Sequence, residues 1–68
     1  MIQEKRRKLH LTQEDMCKKL GISLRLYVRI DNEQAMPRRD ILKKLITELH
    51  MTNEEIGEYI KELTKNAS

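Results

Sequence analysis

The 68-residue chain has no phenylalanine or tryptophan, one cysteine, one proline and two glycines. A lone Cys17 cannot close an internal disulfide, so a reducing compartment, the cytoplasm, is the expected setting. With only two tyrosines as aromatics, the core has to come from Leu, Ile and Met on amphipathic helices. So few glycines and prolines argue against collagen-like, linker-like or β-rich organisation. No apolar run approaches the roughly 18 residues that span a bilayer, and no cleavable signal segment is visible, so no membrane partner is expected. A chain of this length forms one small soluble domain, 1–68, burying only about 60% of its unfolded surface. That leaves little for a catalytic pocket, and an enzyme is not expected.

Charge is abundant and unevenly placed. Charged residues make up 37% of the chain, with a net charge of +3. Residues 1–44 hold twelve Lys/Arg against six Asp/Glu, whereas residues 45–68 hold two against five. A basic front with an acidic tail suggests that the first two-thirds faces a polyanion. Solvated helix faces with an accidental bias would read the same way.

Five helices can be placed by their ends. The first spans about Ile2 to Leu9. Thr12 starts the second, with Asp15 in capping-box position, and Met16, Cys17 and Leu20 as its apolar stripe. Gly21 follows as a residue tolerant of positive φ. Ser23 can cap a third helix reaching about Asn32. Pro37 suits the first turn of a fourth, whose inner face is Ile41, Leu42, Leu45, Ile46 and Leu49. Thr52 and Glu55 pair to open the fifth, about 52–65, with Ile56, Tyr59, Ile60 and Leu63 inward. Residues 24–30 alternate apolar and polar almost as a strand does, but the sequence offers no obvious partner strand, and a helix puts Tyr27 and Ile30 on one face.

Other chemistry finds little support. His10, Cys17 and His50 are scattered without zinc-like spacing, and no metal or cofactor is expected. Cys17 falls on the inner face of its helix as a structural thiol, and both histidines fall between helices. Glu54, Glu55, Glu58 and Glu62 read as a solvated face, and Gly21 and Gly57 form no phosphate loop.

Two short helices joined by a turn around Gly21 match the helix-turn-helix, about 12–32. The run Leu11-Thr12-Gln13-Glu14-Asp15-Met16-Cys17-Lys18-Lys19-Leu20-Gly21-Ile22-Ser23 resembles the Cro/CI-type (XRE) family of repressors. The likeness continues through Arg29-Ile30-Asp31-Asn32, Pro37, Leu42, Leu45 and Leu49. It implies an all-α, compact five-helix, lambda-repressor-like domain whose third helix enters the DNA major groove. On that resemblance Leu24, Arg25, Val28 and Arg29 are base-contact candidates. Arginine can donate two bonds to guanine, and Leu24 can pack on a thymine methyl. Thr12 and Gln13 at a helix start, and Asn32, Gln34, Arg38 and Arg39 around the next loop, are phosphate-contact candidates. Gln13 can also brace the reading helix, and the two arginines could instead serve as phosphate contacts. Arg6 and Asp31 resemble the family's paired basic and acidic positions and are expected to form a partly buried salt bridge.

The sequence departs from the family at Leu26 and Val28, where small polar residues are usual, and at Glu33, often glycine. The function expected is a sequence-specific transcriptional repressor, the regulator of a phage or mobile element, acting as a homodimer on a palindromic double-stranded operator. Leu49, Met51, Tyr59 and Leu63 either form the dimer interface or close the monomer core. The alternative is a protein-binding module, an antirepressor or inhibitor, that contacts a protein partner through Leu24, Leu26, Tyr27 and Val28. Nonspecific nucleic-acid coating is disfavoured by the modest net charge.

Overall fold

Four of the five helices stop in the same way, and these stops set the architecture. In the computed structural model, which describes residues 1–66, the helices are α1 (Ile2–Lys8), α2 (Gln13–Leu20), α3 (Leu24–Asp31), α4 (Arg39–Glu48) and α5 (Asn53–Asn66). Just beyond α1, α2, α3 and α4 stand His10, Gly21, Glu33 and His50, with φ of 58°, 69°, 58° and 53°. Each left-handed residue turns the chain so that the next amide reaches back to the last helical turn. Leu11 N–H donates to Arg6 O (3.2 Å), Ile22 to Cys17 O (3.0 Å), Gln34 to Arg29 O (2.8 Å) and Met51 to Ile46 O (3.0 Å). These bonds satisfy carbonyls that a helix end would otherwise leave open. They also fold apolar Leu11, Ile22 and Met51 back onto the core. Only one of the four positions is glycine, the residue for which this conformation is free of strain.

The starts are equally local. Thr12 Oγ1 accepts from Asp15 N–H (3.0 Å) while the Asp15 carboxylate accepts from Thr12 N–H (2.9 Å). Thr52 and Glu55 make the same reciprocal pair at 3.2 and 2.9 Å, and Ser23 accepts from Leu26 N–H at 3.1 Å. Such caps contribute about 1 kcal/mol each. Helix α4 departs from expectation. Pro37 lies before the helix, buried, because Arg38 is extended (φ −63°, ψ 162°) and is itself the N-cap. The first helix closes one residue earlier than expected, with Leu9 as its cap. The alternating segment is helical, as the absence of a partner strand required.

The core follows the helical period. Met16 and Leu20 on α2, Tyr27 and Ile30 on α3, Ile41 and Leu45 on α4 and Tyr59 and Leu63 on α5 are buried, together with Ile2, Cys17, Leu49 and Met51. Each such apolar side chain contributes about 1.5–3 kcal/mol of transfer free energy. Helix α2 packs against both α3 and α4. Leu49, Met51, Tyr59 and Leu63 are 1%, 9%, 0% and 5% exposed within a single chain. Their side chains therefore pack into the core of the single chain. Among the described residues no helix is long and apolar enough to cross a membrane.

Candidate nucleic-acid interface

The turn between α2 and α3 fixes how α3 leaves the body. Gly21 adopts the left-handed conformation, Ile22 tucks against the core, and Ser23 caps α3 immediately. Helix α3 is eight residues long, or about 12 Å. At about 100° per residue, buried Tyr27, Ile30 and Asp31 define its inner side, and Arg25, Arg29 and Asn32 fall on the opposite side. All three are exposed. Leu24 and Val28 share one flank, and Val28 is half-buried. Leu26, 37% exposed, lies on the other flank, about 160° around from Val28.

That arrangement corrects one expectation. A protein-contact patch of Leu24, Leu26, Tyr27 and Val28 is not one surface, because Tyr27 is fully buried and Leu26 faces away from the others. The period-two spacing that suggested a strand is what separates the apolar residues once the segment is helical.

A buried hub holds the inner side. Asp31, 2% exposed, accepts from Arg6 Nε at 3.0 Å and Nη2 at 3.1 Å. It also accepts from Gln13 Nε2 and from the Tyr27 hydroxyl, each at 3.0 Å. Arg6 further donates from Nη1 to Leu11 O at 2.9 Å. One carboxylate thus ties α1, α2 and α3 together. Burial alone would raise the Asp31 pKa, but the bonds from Arg6, Gln13 and Tyr27 outweigh it and hold the carboxyl below its ordinary range. The hydrogen bond to Asp31 raises the Arg6 pKa in turn. The Tyr27 hydroxyl is pushed up by burial and by the Asp31 charge. Sequence reasoning gave the Arg6–Asp31 pairing but not the Tyr27 donor, although its i, i+4 spacing to Asp31 is a readable signal.

The phosphate-contact candidates occupy different situations. Thr12 is exposed at the start of α2, and Gln13 is half-buried with its amide committed to Asp31. Asn32 is exposed and accepts from Gln3 Nε2 at 2.7 Å through its oxygen. Gln34, Arg38 and Arg39 are exposed. Among the described residues no ion pair involves Arg25, Arg29, Arg38 or Arg39. Glu33, the acidic departure beside this track, has its carboxylate 3.3 Å from the Met1 ammonium.

The acidic tail meets the basic front elsewhere. Lys5 pairs with Glu55 at 2.8 Å and Lys19 with Glu48 at 3.6 Å. Lys5, with the Thr52 amide, holds the Glu55 carboxyl below its usual range. Cys17 is buried and its thiol donates to Glu14 O at 3.2 Å, as a structural side chain would. Among the described residues no three His, Cys, Asp or Glu side chains gather as metal ligands would. His10 and His50 sit in exposed turns.

A sequence profile described as helix-turn-helix matches residues 2–54, which is most of the chain and includes the whole α2–turn–α3 unit. No curated protein and no solved structure matches. With most of the chain matched and α3 presenting an outward basic stripe, the protein is a member of the Cro/CI-type (XRE) helix-turn-helix family of DNA-binding transcriptional regulators.

Proposed function

We propose that the protein is a sequence-specific repressor that binds a palindromic operator as a homodimer and excludes polymerase by occupying it. The observation that carries this reading is the outward stripe of Arg25 and Arg29, without ion-pair partners among the described residues, on a helix whose opposite side is bolted to the body through Asp31. A guanidinium can donate two bonds to guanine O6 and N7, discriminating by about 1–3 kcal/mol per base. Leu24 and Val28, on one flank of the same helix, suit thymine methyl groups.

Thr12, Gln13, Asn32, Gln34, Arg38 and Arg39 set the docking register through phosphates. Gln13 acts chiefly as the brace between α2 and α3, since its amide already donates to Asp31. Arg38 and Arg39 place two cations at the N-terminal end of α4, where the helix dipole is already positive. Two cations beside the free amides of a helix start favour a bound phosphate, with Asp40 in the same turn as a counter-charge. A single eight-residue reading helix makes too few base contacts for tight, selective binding, so two copies on two half-sites are required.

The test is enrichment from a random-sequence duplex pool at two salt concentrations, with wild type and the Arg25→Ala/Arg29→Ala variant. A palindromic motif recovered by the wild type and relaxed in the variant supports the proposal. No enrichment, with weak binding indifferent to both arginines, would refute it.

A further inference from the structure

We infer that Gln3 is a positioning residue of the DNA interface: it holds the Asn32 carboxamide with its oxygen toward α1 and so makes Asn32 a hydrogen-bond donor to the bound duplex. The inference rests on the reading of α3 as the DNA-facing helix and deepens it with a residue from another helix. Gln3, half-buried on α1, donates from Nε2 to Asn32 Oδ1 at 2.7 Å. Its place is fixed by its neighbour. Arg6, about one turn further along α1, is buried and holds Asp31 through two bonds at 3.0 and 3.1 Å. The pairs Arg6–Asp31 and Gln3–Asn32 are successive rungs between the same two elements, and the buried rung sets the register of the outer one.

A carboxamide carries an acceptor at one end and two donors at the other, and its terminal torsion has two comparable wells. Which end meets a ligand is therefore set by the neighbours. Gln3 occupies the Asn32 oxygen with an N–H, and among the described residues Asn32 Nδ2 has no hydrogen-bond partner. The donor end is the one left for a ligand. Asn32 is exposed and falls on the same side of α3 as Arg25 and Arg29. Phosphate oxygens only accept, so an N–H there attaches and a carbonyl oxygen repels. The cleft on the α1 side of Asn32 holds the carboxylates of Glu4, Asp31 and Glu33, with Arg7 and the Met1 ammonium as cations. Arg6 neutralises Asp31, so the cleft carries no net positive charge and is no anion site itself. Glu4 forms no ion pair among the described residues. Without Gln3, acceptors of this cleft compete with the duplex for the Nδ2 end.

The experiment is a double-mutant cycle on duplex affinity, measured against salt on the selected operator and on a random-sequence duplex. The proteins are wild type, Gln3→Ala, Gln3→Glu, Asn32→Ala and the two double variants. Asn32→Ala should lose about three- to tenfold in affinity, the worth of one hydrogen bond. Gln3→Ala frees the amide to turn either way and should lose about two- to threefold, with the salt slope unchanged because no cation is removed. The carboxylate of Gln3→Glu has to accept from Nδ2, which turns the Asn32 oxygen toward the phosphate, so this variant should lose about tenfold or more. In the Asn32→Ala background Gln3→Ala should cost nothing, and Gln3→Glu only the part due to its added charge. Gln3 effects that are the same in both Asn32 backgrounds, zero included, overturn the positioning role while leaving the reading of α3 intact, as does wild-type affinity in Asn32→Ala. A wild type that binds neither duplex overturns the reading of α3 as well.

Discussion

Replacing Asp31 by alanine should remove a large part of the domain's stability. The carboxylate accepts four hydrogen bonds, two from Arg6, one from Gln13 and one from Tyr27, at 3.0–3.1 Å. Its loss strands a guanidinium on a side chain only 10% exposed, and breaking one partner of a buried pair costs about 3–5 kcal/mol. A domain of this size is stable by roughly 3–10 kcal/mol in total. Urea unfolding followed by far-UV circular dichroism should therefore show the midpoint at pH 7 fall by about 3–5 M for a slope of about 1 kcal/mol/M. Arg6→Met/Asp31→Leu removes both charges and should recover at least about 1 kcal/mol over the single variant. Recovery stays incomplete, because the Tyr27 hydroxyl and Gln13 amide still lack an acceptor. The pH dependence has a fixed sign. Asp31 has a lower pKa folded than unfolded, so its contribution is full above the unfolded value of about 3.9 and is lost as pH falls through the folded one. Asp31→Asn should lack that acid-side decline. An Asp31→Ala variant within 1 kcal/mol of wild type would refute the hub, and a double variant no better than the single would refute the stranded charge.

Other substitutions probe the packing and the turns. Tyr59 is fully buried and its hydroxyl has no partner among the described residues. Tyr59→Phe should therefore be neutral or stabilising in the same urea assay, and a loss above about 1 kcal/mol would reveal a bond there. Gly21→Ala meets no atom within 4 Å of the added Cβ, so its cost should be the backbone's alone, about 1–2 kcal/mol, with a denaturant slope unchanged from wild type. His50→Gly, at φ 53°, should stabilise by up to about 1 kcal/mol. Destabilisation there would mean that the His50 side chain makes a contact that outweighs the strain.

The sequence announced the parts of this fold that are governed locally. Capping pairs three residues apart, Thr12 with Asp15 and Thr52 with Glu55, fixed two helix starts, and the i, i+4 spacing of Met16 with Leu20 and Ile41 with Leu45 fixed the inner faces. The left-handed stop at His50 was hidden because histidine does not advertise that conformation as Gly21 does, whereas at Glu33 the resembled family's frequent glycine was the available signal. The roles of Leu49, Met51, Tyr59 and Leu63 stayed open, since an apolar stripe looks alike whether it closes a core or meets a second chain. The fold packs all four into the core of the single chain. Leu26 looked contiguous with Leu24 and Val28 in the one-dimensional string, and the 3.6-residue turn put them on opposite flanks. Arg25 and Arg29 were legible as outward residues once Tyr27 and Ile30 were assigned inward. The convergence of Gln13 and Tyr27 on Asp31 depends on helix crossings that no local pattern encodes.

The account stands on α3 as a rigid reading helix, so the most direct measurement is position-resolved affinity. Each base pair of the selected operator would be substituted in turn, and binding measured for wild type, Arg25→Ala, Arg29→Ala and Arg38→Ala. The prediction is that each reading-helix variant loses about 1–3 kcal/mol and becomes indifferent to the base at one half-site position. Arg38→Ala should instead weaken all operators alike and lower the salt slope by about 1. Uniform weakening by Arg25→Ala and Arg29→Ala, with base preferences intact at every position, would contradict it.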